Sequence, residues 1–355
     1  MAGLRPSAVR PTIGTNRPKY LSLSPSEDQV GKLLRHRGYT TLAHVERAIT
    51  PILADWQNQP QLATGFFTRL RKARRALTAW QVLKVMQGGR VETNVIHYSS
   101  VIIACESQGA WEMAIDLLHC MKIAFVEHDV VSMSSAIAAC EKDGRWECAL
   151  SIFENMIVSA IPPNVVSYSS AISACEKKGK WQEALHLLQF MQSKAVHPND
   201  ITCNSAISAC ELAGKWQIAL IILETMSCLK VEPDIISYNS ALSACEGKGF
   251  WQLALQLLYN LEARCLKPNI RSCNSIMTTF CQNRQWMHSL NLLQSMRVFG
   301  VKTDVTTCEL AIAAFEEGGQ WHLLTRLLGR MCQSSFTALK EQIFHNRQLQ
   351  YLRAS

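Results

Sequence analysis

The sequence predicts an all-α fold, an α-solenoid in which short helical hairpins stack into a superhelix. Three observations predict it. Trp111, Trp146, Trp181, Trp216, Trp251, Trp286 and Trp321 recur at intervals of 35 residues with no insertion. Within each interval the apolar residues follow helical spacing, and no alternating β-branched run marks a strand. A single two-helix unit cannot bury its own apolar stripe, so consecutive units must stack.

The elements follow in chain order. Residues 1–27 form a basic leading segment with Arg5, Arg10, Arg17 and Lys19, no acidic residue before Glu27, and Pro6, Pro11, Pro18 and Pro25. That composition suits an organelle transit segment or a flexible tail, and the prolines oppose an amphipathic mitochondrial helix. Residues 28–94 are expected to form a helical cap, with helices over 28–37 and 41–56 and a degenerate unit over 60–94. Six complete units occupy 95–129, 130–164, 165–199, 200–234, 235–269 and 270–304. Residues 305–355 hold a second degenerate unit and a closing helix marked by Phe336, Leu339, Ile343, Phe344 and Leu349.

Unit 235–269 shows the internal logic. Tyr238, Ala241, Leu242 and Cys245 make the apolar stripe of a first helix, and Trp251, Ala254, Leu255, Leu258 and Leu261 that of a second. Gly249 separates the two, and Lys267-Pro268-Asn269 ends the unit. Met121, Met156, Met191, Met226 and Met296 keep the same interval in the other units. Cys105, Cys140, Cys175, Cys210 and Cys245 occupy one position of the first helix, where a small apolar thiol packs well. The 14 cysteines include no C-x-x-C pair, so neither a disulfide scaffold nor a thiolate metal site is expected.

A 35-residue helical hairpin that begins Val/Ile-x-Ser-Tyr-Asn/Ser and ends Pro-Asp or Pro-Asn resembles the pentatricopeptide repeat family. The stretches VVSYSSAISACEKKGKWQEALHLLQFMQSKAVHPN and IISYNSALSACEGKGFWQLALQLLYNLEARCLKPN carry the resemblance, which is strong over 95–304 and weak over 60–94 and 305–339. Tetratricopeptide repeats use 34 residues and would drift out of register with this interval. The resemblance implies single-stranded RNA as the partner, read one base per unit.

It also implies where the readers lie. The fifth residues are Ser99, Ser134, Ser169, Asn204, Asn239 and Asn274, and the last residues are Asp129, Asn164, Asn199, Asp234, Asn269 and Asp304. The second residues, Ile96, Val131, Val166, Ile201 and Ile236, are expected to pack on base faces. Ser, Asn and Asp at these places also suit helix N-caps. Taken together, the pairs imply the target G-A-A-U-C/U-U.

Charge sits elsewhere. Residues 1–94 hold 15 Lys+Arg against 5 Asp+Glu, whereas residues 95–355 hold 21 against 23. Arg69, Arg71, Lys72, Arg74 and Arg75 are candidate phosphate contacts, a solvated helix face or a nuclear address. Lys142 and Lys177 stand where the family meets phosphate. Glu106, Glu141, Glu176, Glu211, Glu246 and Glu316 recur on the reading side of the first helix, a ladder that suits pairing with cations or a protein partner.

Composition and motifs exclude other classes. At 48% hydrophobic and 18% charged the chain can bury a large core, and no stretch approaches a membrane span. No H-E-x-x-H, P-loop, G-x-S-x-G or deaminase motif is present, so no metal, cofactor or small-molecule substrate is expected. The sequence stops at Ser355, so no appended nuclease is expected. The expectation is therefore non-catalytic RNA binding in an organelle, chloroplast or mitochondrion, acting alone or with a processing enzyme on another chain. Nuclear and cytoplasmic locations stay open, and the alternative is a scaffold holding an extended peptide in the concave face.

Overall fold

The computed structural model describes residues 41–246 and 250–319. Sixteen α-helices and no strand are found among the described residues. The chain divides into two compact units, one ending at Ala104 and one beginning at Cys105. The leading segment, the expected helix at 28–37 and the closing helix after residue 320 lie outside the described residues.

In the first unit, α1 (Leu42–Asn58), α2 (Pro60–Lys72) and α3 (Ala76–Gly88) pack on one another. α1 turns Val45, Ile49, Ile52 and Trp56 inward at helical spacing. The Trp56 ring meets Phe66 edge-on at 5.2 Å. α4 (Val95–Gln108) follows.

The second unit repeats one hairpin. After α5 (Trp111–Ile123) come α6 (Val130–Lys142) with α7 (Trp146–Val158), and α8 (Val165–Glu176) with α9 (Trp181–Ser193). Next are α10 (Asp200–Leu212) with α11 (Trp216–Cys228), and α12 (Ile235–Glu246) with α13 (Trp251–Ala263). α14 (Ile270–Gln282) pairs with α15 (Trp286–Phe299), and α16 (Val305–Glu317) closes the described part.

Turn chemistry sets the period. The first helices stop at Gly109, Gly144, Gly179 and Gly214, all at φ between 62° and 69°, where a side chain would be strained. The next amide then bonds back five residues, Arg145 N–H to the Cys140 carbonyl at 2.9 Å and Lys215 N–H to that of Cys210 at 2.8 Å. The second helices end the same way, with Ile161 N–H bonding to the Met156 carbonyl at 2.9 Å and Val231 N–H to that of Met226 at 3.0 Å. The periodic cysteines and methionines are thus core residues that also accept the closing bonds of their helices.

First helices of successive hairpins pack directly on each other, from α6 through α8, α10, α12 and α14 to α16. Cys105, Cys140, Cys175, Cys210 and Cys245 are fully buried. Burial pushes the Cys140 and Cys175 thiols up to about 12, which makes them inert as nucleophiles.

The tryptophans depart from expectation. Read in sequence as part of the second helix's apolar stripe, they are half-exposed, and Ala254, Leu257, Leu258 and Leu261 fill the core instead. Each of four indoles is capped by the residue that opens the next hairpin's second helix. Arg145 lies over Trp111 at 4.8 Å, Lys180 over Trp146 at 4.5 Å and Lys215 over Trp181 at 5.4 Å. The Phe250 ring takes that place over Trp216 at 4.4 Å. Each cation–π contact is worth about 0.5–1 kcal/mol at such partly exposed sites. The interval in tryptophan therefore records the joint between units.

Candidate nucleic-acid interface

Each first helix begins with an Asp or Asn whose side chain accepts the backbone N–H three residues on. The bonds run from Ser132 to Asp129 at 2.8 Å, Ser167 to Asn164 at 2.9 Å and Thr202 to Asn199 at 2.9 Å. They continue from Ser237 to Asp234 and Ser272 to Asn269 at 2.9 Å, and Thr307 to Asp304 at 2.8 Å. All six last-position residues are therefore N-caps, each stabilising its helix by about 1 kcal/mol. The capping role does not use up their polar atoms.

The fifth-position residues behave in two ways. Asn204 donates its amide to Asp234 Oδ1 at 3.2 Å, Asn239 to Asn269 Oδ1 at 3.4 Å, and Asn274 to Asp304 at 3.4 Å. Their amide oxygens accept the hydroxyls of Ser237, Ser272 and Thr307 in the following unit, at 2.5, 2.5 and 2.6 Å. The structure thus brings fifth and last residues into direct contact wherever the fifth is asparagine. Serine is too short for that bridge. Ser134 Oγ donates to the Val130 carbonyl at 2.6 Å and meets Ser167 Oγ at 2.8 Å, and Ser169 Oγ donates to the Val166 carbonyl at 3.0 Å. Ser99, in the first unit, bonds the Ile96 carbonyl at 3.2 Å.

One consequence is chemical. Asp234 Oδ1 takes donors from Ile236, Ser237 and Asn204, so Oδ2 remains to accept from outside. Asn269 spends its amide oxygen on Ser272 and Asn239, which leaves its NH2 to donate. Asp304 is held most firmly. Burial pushes its carboxyl up, but hydrogen bonds from Thr306, Thr307 and Asn274 outweigh that and hold it at about 2.

The second-position side chains Ile96, Val131, Val166, Ile201 and Ile236 are 49–55% exposed, an unusual place for a recurrent apolar residue. Arg271 stands there in the sixth unit, and its Nη2 reaches Glu211 Oε1 at 3.9 Å. Glu211 belongs to the unit two before, so second positions and the glutamate ladder share one face.

Part of the ladder has neighbours within the array. Ser205 and Ser208 lie beside Glu176, and Ser240 and Ser243 beside Glu211. Lys177 Nζ lies 3.6 Å from Glu141 Oε1 and donates to the Glu141 carbonyl at 2.7 Å, so it ties α8 to the end of α6. Its engagement differs from the phosphate contact expected of it, while Lys142 is exposed. Burial raises the carboxyls of Glu141, Glu176 and Glu211 above their ordinary value, against the pull of Lys177 and Arg271.

The basic cluster lies in the first unit. Arg69, Arg71 and Lys72 occupy the last turn of α2, where cations favour the helix dipole. Arg74 and Arg75 follow in the turn, Arg74 at φ 53°.

Sequence reasoning missed the third-position hydroxyls Ser132, Ser167, Thr202, Ser237, Ser272 and Thr307, all fully buried. Their recurrence three residues after each cap was the available signal.

Comparison with known proteins settles the lineage. A pentatricopeptide (PPR) repeat family model matches residues 128–177 and 163–211, and a PPR repeat model matches 96–123 and 271–301. The matched segments are pentatricopeptide repeats. The chain's fold is similar to the crystal structure of the pentatricopeptide repeat protein PPR10 from maize, at TM-score 0.59 and 22% identity over 90% of this chain. The chain spans 50% of that protein's length. PPR10 in complex with an 18-nt psaJ RNA element matches at TM-score 0.46 and 14% identity, over 85% of this chain and 49% of that one. The PPR domain of Arabidopsis thaliana protein-only RNase P 1 in complex with tRNA matches at 0.44 and 17%, over 50% of this chain and 95% of that one. No curated protein matches the chain in sequence.

Proposed function

We propose that the first-helix face binds single-stranded RNA without catalysis, one base per unit over about six nucleotides. One observation carries this reading: a polar pair and an exposed apolar side chain recur together on the same face, unit after unit. An aliphatic residue from each of two neighbouring units can grip a base by its faces. The polar pair between them then meets the base edge.

The leftover hydrogen-bonding groups supply selectivity. Asn204 with Asp234 offers a donor beside an acceptor, which complements the O4 and N3–H of uracil. Asn239 with Asn269 offers only donors, which suits cytosine O2 and N3. The shorter serines leave a wider gap between fifth and last residues, which favours the larger purines in the units of Ser99, Ser134 and Ser169. Phosphate contacts fall to Lys142 and the cluster Arg69, Arg71, Lys72, Arg74 and Arg75. The peptide-scaffold reading loses part of its support, because Lys177 and Arg271 stand against Glu141 and Glu211, two of the glutamates that would have drawn a basic peptide.

In a cell such a protein would shield, remodel or present an organellar transcript, with any cleavage done by a separate enzyme. Fluorescence anisotropy with GAAUCU against a scrambled hexamer tests the binding. Tighter capture of GAAUCU supports the assignment; equal affinity defeats the code, and no capture of either RNA defeats the function.

A further inference from the structure

The second helices present a different surface. They pack on first helices to either side but not on one another among the described residues, which leaves grooves between them. Two are well formed. One of about 990 Å³ lies between α5 and α7, and one of about 370 Å³ between α7 and α9. Leu118 and Ile152 line the first with apolar surface, and Phe153 and Phe190 line the second.

Phe125 edges the first groove and stands out twice. It is 96% exposed, and its φ of 56° is a left-handed conformation that a bulky side chain adopts only under strain. Later units place Ala160, Ala195, Lys230, Cys265 and Gly300 at that position. On the neighbouring helix ends Ile123 and Val158 are 77% and 84% exposed. Val298 is 85% exposed at the equivalent helix end of a later hairpin, so what sets this place apart is the aromatic ring of Phe125 at the turn.

Charge selects the occupant. The two grooves carry Glu127, Glu147, Glu154 and Glu183 against Lys122 in the first and Lys194, which lies over the Phe190 ring at 5.3 Å, beside the second. We propose that they dock a basic amphipathic helix of a partner protein. Its apolar side chains would seat on Leu118 and Ile152 beneath Phe125, and its Lys and Arg residues would face the four glutamates. This docking does not depend on RNA recognition, which uses the first helices.

The test is fluorescence anisotropy on the full chain with two labelled helical peptides of about 18 residues, some five turns. One has Leu and Lys faces, the other Leu and Glu faces. The Leu/Lys peptide should bind at least about tenfold more tightly. Phe125→Gly removes the ring while relieving the backbone, so the fold is kept, and it should weaken that binding about tenfold. Glu147→Lys with Glu154→Lys should do the same. Equal binding of both peptides, or full binding by Phe125→Gly, overturns the proposal. So does a concentration-dependent dimer in sedimentation that Phe125→Gly abolishes, because the surface would then belong to a second copy.

Discussion

The hairpins that start with α6 and α8 carry serine as the fifth residue of the unit, and those that start with α10, α12 and α14 carry asparagine. Serine at the fifth position bonds to its own helix and does not reach its unit's last residue, whereas asparagine does; Ser134, like Asn204, also meets the next unit's buried hydroxyl. The same backbone frame therefore holds two kinds of pocket. One is closed by a continuous hydrogen-bonded bridge, and the other is wider and less tied between units. The proposed selectivity would be coupled to stability in the asparagine half, and separable from it at Ser169.

The largest effect should come from breaking the bridge. Asn239→Ala with Asn274→Ala removes two residues proposed to read bases and leaves Ser272 and Thr307 without their inter-unit acceptors. RNA affinity should fall at least about tenfold, and the melting temperature should drop by a cost on the order of 1–3 kcal/mol per site. Ser169→Ala should leave the melting temperature almost unchanged, since that hydroxyl bonds to the local Val166 carbonyl. Equal destabilisation per site by the two changes, followed by circular dichroism, would erase the distinction.

The glutamate ladder sharpens the comparison next. Burial raises the carboxyls of Glu141 and Glu176, beside the serine units, and of Glu211 in the asparagine half. A carboxyl whose folded value lies above its unfolded value of 4.5 binds its proton more tightly in the folded chain. Stability should therefore rise as pH falls from neutral, with the gain complete below 4.5. RNA affinity should rise over the same range as negative charge leaves the reading face. Glu141→Gln with Glu176→Gln should flatten both profiles, and an unaltered pH slope in anisotropy would remove the ladder from the account. Asp304 runs the opposite way. Its depressed carboxyl contributes stability that is complete above 3.8 and lost as pH falls through about 2.

A smaller change is expected at the joints. Lys180→Ala uncovers Trp146 and should cost about 0.5–1 kcal/mol, read as a shift in the denaturation midpoint with RNA affinity intact. Smallest of all is Tyr168→Phe. The Tyr168 hydroxyl is buried without a hydrogen-bond partner, with its ring against Phe153 at 4.9 Å. Its removal should leave the melting temperature equal or slightly higher.

The fold was legible because helical packing is local and periodic. Cys140 and Met156 announce buried positions, Gly144 and Gly179 announce left-handed turns, and Asn199 and Asp234 announce helix starts without reference to any neighbour. What escaped the sequence lies between units. Arg145 follows Gly144 as an ordinary turn residue, and only the stacking of hairpins puts it on Trp111. The partners of the ladder were present as recurring serines at Ser205, Ser208, Ser240 and Ser243, but the register that joins them to Glu176 and Glu211 depends on the angle between first helices. The two readings of Asn239, cap-like polar residue or base reader, likewise share one side chain, and only packing reveals that its amide bridges Asn269 and Ser272.

The most direct measurement exchanges one pocket for the other. Asn204→Ser with Asp234→Asn turns the fourth unit into the kind found in the second and third, and the cap is preserved by asparagine. Anisotropy with GAAUCU and GAAACU on the original and exchanged chains should show a reversal of preference of about tenfold at that single base. Unchanged preference in a folded variant would contradict the claim that these pairs read nucleobases.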